Sequence, residues 1–261
     1  MALANQVAVI TGASSGIGWA LARELAARKC RVGLLARRLE LLDKLAGEIQ
    51  QAGGTAETAA ADVADREQTL AAVHDLRGRL GPIDLLVANA GVGAPTILEP
   101  FNVAQVEQMF RVNLLGVIYS IAAVLPEMLR RRQGHLAAVS SLGAYKGLPG
   151  ESAYCASKAA VNTYLEGLRI QLREYNIAVT TICPGFIKTP MTDVNTFAMP
   201  GLMSADKAAR KIAGALARRR KVYNFPWRTT WLVKATRWLP DWLVARVMKN
   251  YNENPPPAVG T

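Results

Sequence analysis

The stretch Thr11-Gly12-Ala13-Ser14-Ser15-Gly16-Ile17-Gly18 joins an apolar run, QVAVIT (6–11), to WALARELAARK (19–29), whose apolar residues recur at helical spacing. The order is strand, glycine-rich turn, helix. Gly12 permits a tight turn, Gly16 lets the backbone approach a pyrophosphate, and Gly18 allows close helix packing. A helix N-terminus adds free N–H groups and a positive dipole end, which suit an anion. The spacing is GxxxGxG rather than the GxGxxG of the common fingerprint. The strand-turn-helix context therefore carries the nucleotide-binding reading, and Ser14, Ser15 and Ile17 of the turn are candidate cofactor contacts with the three glycines.

Outward from this unit the alternation repeats. RVGLLA (31–36) reads as a buried strand, 38–53 as an amphipathic helix closed by Gly53, and TAETAAADV (55–63) as a weaker strand followed by a helix from about Asp65 to Leu80. IDLLVANAG (83–91), HLAAVSS (135–141) and NIAVTTICPG (176–185) read as further strands. Helical patterns over 103–131 and 152–175 separate them. Strands apolar on both faces, alternating with helices of ten residues or more, predict an α/β fold: a Rossmann-type doubly wound parallel sheet in a single domain. The expected core is 1–206, with a cover over the site at about 186–206, and 207–261 is a basic, Trp-rich helical extension whose last residues look frayed.

Composition removes several alternatives. With 51% hydrophobic and 20% charged residues the chain is far from the signature of disorder. No run approaches eighteen uninterrupted apolar residues and the start has no basic n-region, so a cytoplasmic protein is expected. Cys30, Cys155 and Cys183 are widely spaced and only two histidines are present, which argues against a disulfide framework and against any metal site. The net charge of +11 is local: residues 207–249 hold twelve Lys and Arg against the single acid Asp241, leaving nineteen of each sign elsewhere.

An NAD-selective fold places Asp or Glu about twenty residues after the glycine turn, to hold the ribose 2′-OH. Here the second strand ends Leu35-Ala36-Arg37-Arg38. Two arginines opening a helix oppose its dipole unless an anion lies between them, and guanidinium suits phosphate, so Arg37 and Arg38 point to NADP(H). The competing reading is a solvated pair balanced by Glu40 and Asp43. Tyr154 and Lys158 stand one helical turn apart on a shared face. An ammonium near a phenol favours the phenolate and lowers its pKa from about 10, fitting Tyr154 to exchange protons with a carbonyl or alcohol. Ser141 ends a strand thirteen residues earlier, where the active-site groups of open α/β sheets gather. Adjacent Ser140 must face the other way, and the thirteen-residue offset selects Ser141.

Taken in order, Thr11-Gly12 through Gly18, Asp62-Val63, Asn89-Ala90-Gly91, Asn113, Ser141, Tyr154, Lys158, Pro184-Gly185 and Thr189 resemble the short-chain dehydrogenase/reductase family from about Gln6 to Thr189. The resemblance implies Tyr154 as proton donor and Ser141 as the hydrogen bonder that orients the carbonyl. It implies Lys158 as a partner of both the tyrosine and the nicotinamide ribose, and Asn113 as the residue that positions a water in a proton relay. Asp62 and Asn89 match cofactor-side and sheet-stabilising positions, and Thr189 with Ile187 matches the edge that holds the nicotinamide amide. Structural alternatives remain for two of these: Asn113 could cap or kink its helix and Asp62 could start one. The implied activity is NADP(H)-dependent interconversion of a ketone or aldehyde and an alcohol, in a homodimer or homotetramer, with helix 152–175 as a candidate dimer face. Leu142, Leu148, Phe186, Met191, Phe197, Met199 and Met203 are candidate substrate walls, and their apolar character suggests a lipophilic substrate.

Two other classes of function compete. A non-catalytic dinucleotide sensor on this fold would be marked by loss of the tyrosine or lysine, and both are present. Nucleic-acid binding lacks any recognition-helix motif beside the basic tail. In that tail, Trp231, Trp238 and Trp242 fall on one side of a helix near Leu239 and Val247, with Lys234, Arg237 and Lys249 away from the stripe and Pro240 splitting it. The pattern fits a helix lying on an anionic membrane surface, and it also fits a stripe packed on the protein's own core or on a second subunit.

Overall fold

A computed structural model describes residues 3–193, 199 and 201–247. β1 (Val7–Thr11) is buried along its whole length as an inner strand of a seven-stranded, wholly parallel sheet. The other strands are β2 (Arg31–Ala36), β3 (Thr55–Ala60), β4 (Leu85–Ala88), β5 (Gly134–Val139), β6 (Ile177–Pro184) and β9 (Val222–Phe225), in the spatial order β3-β2-β1-β4-β5-β6-β9. Two short strands, β7 (Ile187–Lys188) and β8 (Met203–Ser204), pair separately. The chain runs from β1 outward to β3, then returns to the other side of β1 at β4. Between β1 and β4 the strand order reverses, and a crevice opens there at the carboxyl ends of the strands.

Alternation along β1 sends Ala8 and Ile10 to one face and Val7 and Val9 to the other. On the first face Ile10 belongs to a core shared with α1 (Gly16–Ala27), α2 (Leu39–Gln51) and α8 (Ala205–Ala217), which contribute Leu21, Leu25, Leu42, Leu45 and Ile212, all fully buried. On the second, Val9 belongs to a core to which α3 (Arg66–Leu80), α5 (Gly116–Arg131) and α6 (Ser152–Gln171) contribute Leu76, Ile121, Val161 and Leu165. Burying such a side chain contributes about 1.5–3 kcal/mol, so both faces of the sheet hold it in place. Where caps form they follow the sequence: Asp65 accepts from the Gln68 N–H at 2.9 Å to open α3, and Gly53, at φ +77°, follows α2.

α4 (Val103–Phe110), a π-helical turn (Arg111–Leu115) and α5 form one continuous run, the long helical stretch expected over 103–131. An eighteen-residue stretch within it has a mean hydropathy of 1.7, long and apolar enough to cross a membrane by length and composition alone. Buried Val117, Ile121, Val124 and Met128 instead place it in the second core. The division expected at 206/207 cuts through α8, which packs on α1, and β9 completes the sheet beside β6. The first part of the basic extension is thus core structure. Only α9 (Trp227–Thr236) and α10 (Asp241–Val247) follow the last strand among the described residues.

Candidate active site

Every strand from β1 to β6 delivers candidate residues at its carboxyl end: Gly12, Arg37, Asp62, Asn89, Ser141 and Pro184 each end a strand or follow one within two residues. The crevice they surround is also lined by Ser14, Ser15, Gly16, Ile17, Arg38, Val63, Ala90, Gly91, Tyr154, Lys158, Gly185, Ile187, Thr189 and Met191. Gly18 and Asn113 lie behind this wall.

The glycine turn needs its glycines for local reasons. Gly12 and Gly16 hold φ of +67° and +57°, and a Cβ on Gly12 would sit 2.7 Å from Ala90 Cα. A Cβ on Gly18 would lie 2.3 Å from Gly12 O, so α1 can begin this close to the turn only without a side chain there. Asn89 ties the turn to β4: its Nδ2 donates to Thr11 O at 3.0 Å, and its N–H donates to Thr11 Oγ1 at 3.0 Å.

At the far end of the crevice Arg38 Nη2 donates to Ser14 Oγ at 3.0 Å, so the guanidinium bridges to the glycine turn. Exposed Arg37 lies 3.9 Å from Asp62, whose Oδ1 also accepts from the Ala64 N–H. Glu40 and Asp43 pair with neither arginine, and Asp43 instead accepts from Thr58. Two guanidiniums face one carboxylate, leaving net positive charge at the crevice edge.

In the middle stand Ser141, Tyr154 and Lys158. Ser141 opens the 3₁₀ turn Leu142–Tyr145, and its Oγ accepts from the Gly143 N–H at 3.0 Å. The hydroxyl is left free to donate, and it hydrogen-bonds the Tyr154 phenol. Ser140 points away from the phenol and donates to Lys158 O at 3.0 Å. Lys158 is 4% exposed, and its Nζ donates to Val139 O at 3.0 Å and lies 5.9 Å from the Tyr154 ring centroid.

The expected lowering of the Tyr154 pKa does not occur in this environment. Burial pushes the phenol up to about 12, the bond from Ser141 opposes this, and the Glu151 carboxylate adds to the rise. Burial also brings Lys158 down to about 8, because its ammonium faces a carbonyl rather than a carboxylate. Glu151, pushed up to about 7 by burial, carried no motif. Its place one turn before Tyr154 was the available signal.

Asn113 sits in the π-helical turn, fully buried. Its Oδ1 accepts from the Val92 N–H and its Nδ2 donates to Val92 O, both at 2.9 Å, and Nδ2 also donates to Ser157 Oγ at 3.0 Å. Both amide hydrogens are spent on clamping the β4–α4 loop, so the side chain has no donor left to hold a relay water. Thr192, absent from the expected set, lines the crevice and anchors its edge by accepting from the Thr189 N–H and donating to Ile187 O. Thr189 in turn lies 2.9 Å from the Cβ position of Gly16, closing the crevice over the turn.

The expected substrate walls divide. Met191 lines the crevice, with Sδ 3.7 Å from the Cβ position of Gly93, which itself lies 3.6 Å from the Tyr154 ring. Met203 belongs to the first core, and Leu142 is buried with Cδ1 3.4 Å from the Cβ position of Gly185. Leu148, Phe186 and Met199 lie outside the crevice lining, and Phe197 falls outside the described residues. Apolar character identified these residues but not the direction each faces. No group of His, Cys, Asp and Glu able to hold a metal occurs among the described residues.

The family model for short chain dehydrogenases matches residues 6–198. The chain belongs to this family. An uncharacterized oxidoreductase of Myxococcus xanthus is 39% identical over 92% of this chain and 94% of its own. A 3-oxoacyl-[acyl-carrier protein] reductase of Brucella melitensis with bound NAD is similar in structure, with TM-score 0.76 and 26% identity over 86% of this chain and 90% of that one. An alcohol dehydrogenase of Thermococcus sibiricus complexed with 5-hydroxy-NADP has TM-score 0.75 and 28% identity, over 84% and 94%. The protein is an oxidoreductase of the short-chain family, and its fold is one that binds a nicotinamide dinucleotide.

Proposed function

We propose that the protein interconverts a ketone or aldehyde and an alcohol using NADP(H), with Tyr154 giving or taking the proton and a lipophilic compound as substrate. The observation that carries this reading is the convergence of Ser141, Tyr154 and Lys158 on the crevice that the glycine turn and two arginines also line. The residues present fit the cofactor. Gly12, Gly16 and Gly18 bring the turn and the start of α1 close together without side chains, and Arg37 and Arg38 offer charge-assisted donors for a 2′-phosphate.

When bound, the nicotinamide supplies or accepts a hydride. Tyr154, with its pKa near 12, keeps its proton at neutral pH and is in the state to donate it to a carbonyl oxygen. Ser141, whose hydroxyl hydrogen faces the Tyr154 phenol, would turn it to the same substrate oxygen. Lys158, anchored on Val139 O, directs positive charge toward the phenol, and Asn113 acts as a positioning residue through Val92 and Ser157. Met191 and the space left by Gly93 beside the Tyr154 ring support an apolar substrate. The non-catalytic sensor has no observation in its favour, since the serine, tyrosine and lysine meet in one place.

Homodimers or homotetramers would form through α6, which exposes Ile170 at 74% near its end. A cytoplasmic setting accords with three buried, unpaired cysteines. A screen of ketones and alcohols from steroid to fatty-acyl size, following NADPH absorbance, tests the activity. Tyr154→Phe should abolish turnover while leaving NADPH binding intact, and retention of most of kcat would overturn the mechanism. NADPH should bind roughly ten- to a hundredfold tighter than NADH, and Arg37→Ala combined with Arg38→Ala should erase that preference. Equal affinities in the wild type would remove the NADP assignment.

A further inference from the structure

The last two helices turn their apolar side outward. α9 docks on β9 and on the 3₁₀ turn Leu142–Tyr145, with Thr230 buried and Val233 half-buried, and α10 buries Val244. The large residues face the other way: Trp227 is 67% exposed, Trp231 72%, Leu232 69%, Trp238 87% and Trp242 68%. Five of the thirteen exposed large hydrophobic residues described in the whole chain thus lie within sixteen consecutive positions. Packing on the protein's own core, one reading of this stripe, does not occur.

Arg228 lies over the Trp227 ring at 5.3 Å, and exposed Lys234 of α9, Arg237 of the turn that follows it and Arg246 of α10 add to the charge. Asp241, the only acid from 207 to 247, is held 3.4 Å from Lys146. We propose that α9 and α10 bind the interface of an anionic lipid bilayer, inserting Trp227, Trp231, Leu232, Trp238 and Trp242 among the headgroups while the basic residues meet lipid phosphate. Tryptophan suits that position because one edge of the ring is apolar and the other carries an N–H donor. Charge argues against a second copy as the occupant. A twofold contact places each patch against itself, and here it would bring Arg228, Arg237 and Arg246 of both copies together with one carboxylate per copy to offset them.

The surface borders the candidate active site. The 3₁₀ turn under α9 follows Ser141, and Thr229 Oγ1 lies 3.2 Å from the Cβ position of Gly201 in the 186–206 cover. An enzyme docked this way presents its substrate mouth at the bilayer, which would let a lipid-dissolved carbonyl compound enter without crossing water. This consequence rests on the proposed catalytic reading, whereas the docking does not.

Sedimentation of the full chain with phosphatidylcholine vesicles, with and without phosphatidylglycerol, tests it. Binding should require the anionic lipid and low ionic strength, shift tryptophan emission to the blue, and reverse in high salt. Each basic residue near the surface is worth roughly fivefold in partition, so Arg228→Gln with Arg237→Gln and Arg246→Gln should weaken binding about a hundredfold. Trp231→Ser with Leu232→Ser and Trp238→Ser should abolish the emission shift while NADPH binding, as a check of fold, is retained. No binding to anionic vesicles at low ionic strength overturns the proposal. So does a dimer that the tryptophan variant converts to monomer, or tighter binding to a random oligonucleotide than to the vesicles.

Discussion

The crevice and the terminal helices invert the ordinary rule of burial in opposite directions. The crevice buries polar groups: Lys158 is 4% exposed, Ser140 2%, and Asn113 fully enclosed. The terminal helices expose four tryptophans. A buried polar group is tolerable only when bonded, and here each is, Lys158 to Val139 O, Ser140 to Lys158 O and Asn113 three times over. The crevice is thus fixed from several elements at once, whereas α9 and α10 rest on a narrow strip of contacts. The same protein carries a burial cost in one region and an exposure cost in the other.

The sharpest break of this contrast uses two helical glycines. Gly18→Ala should cost about 3 kcal/mol, at the upper end of overpacking penalties, because the new Cβ meets Gly12 O, a backbone atom that cannot step aside. Gly47→Ala in α2, where a Cβ meets nothing within 4 Å, should stabilise by about 0.5–1 kcal/mol through helix propensity. Urea unfolding of both variants distinguishes them. A Gly18→Ala protein as stable as wild type would mean that the turn is not packed against α1 as the structure has it.

Those glycines also mark how far the sequence could be read. The order of the turn glycines, and the strand ends that follow, identified the sheet and pointed to most of the residues that line the crevice, because each element's period and each turn's chemistry is local. Quantities set by several elements together stayed hidden. Tyr154 and Lys158 are four residues apart, but the Tyr154 pKa depends on how much of the fold surrounds the phenol, and that burial raises it against the bond from Ser141. Asn113 could be placed by motif, yet two of its three bonds depend on Val92, twenty-one residues away, and the third on Ser157, forty-four residues away. β9 escaped notice because VYNF is short and lies in a charged segment. For the tail, helical spacing put Trp231, Trp238 and Trp242 on one side of a helix, whereas Trp238 lies in the turn between α9 and α10 and Leu239 is half-buried, because which side meets the protein is decided by the neighbouring strand and turn.

Lys158→Met tests whether crevice burial carries a cost. In the folded protein Lys158 titrates near 8, against about 10.5 for an ordinary lysine, so between these values the unfolded chain binds more protons. Wild-type stability attributable to this group therefore rises from pH 8 to pH 10.5, and below pH 8 the buried ammonium carries its full penalty. Burial alone is worth about 3 kcal/mol by that difference, partly offset by the lost bond to Val139 O. The methionine variant should be more stable by about 1–2 kcal/mol at pH 7, with the gap narrowing toward pH 10, and should bind NADPH poorly. Thermal melts across that range check the sign. A gap that stays constant with pH would show that the ammonium is already hydrated in the folded state.

The smallest effect expected is the most informative about the terminal helices. Trp231 is among the largest residues in the chain, and replacing a buried residue of that size typically costs 3–5 kcal/mol. At 72% exposed it has little packing to lose, so Trp231→Ser should shift stability by no more than about 0.5 kcal/mol in the absence of lipid. Thr230, its neighbour on the buried side, donates to Pro226 O at 2.8 Å and gives the matched control. Thr230→Trp should destabilise by about 1–3 kcal/mol, since it forces a large ring between α9 and the strand it rests on. If instead Trp231→Ser proved the costlier of the two in chemical unfolding, α9 would be rotated so that its tryptophans face inward. The outward apolar surface, and the contrast between the two regions, would then disappear together.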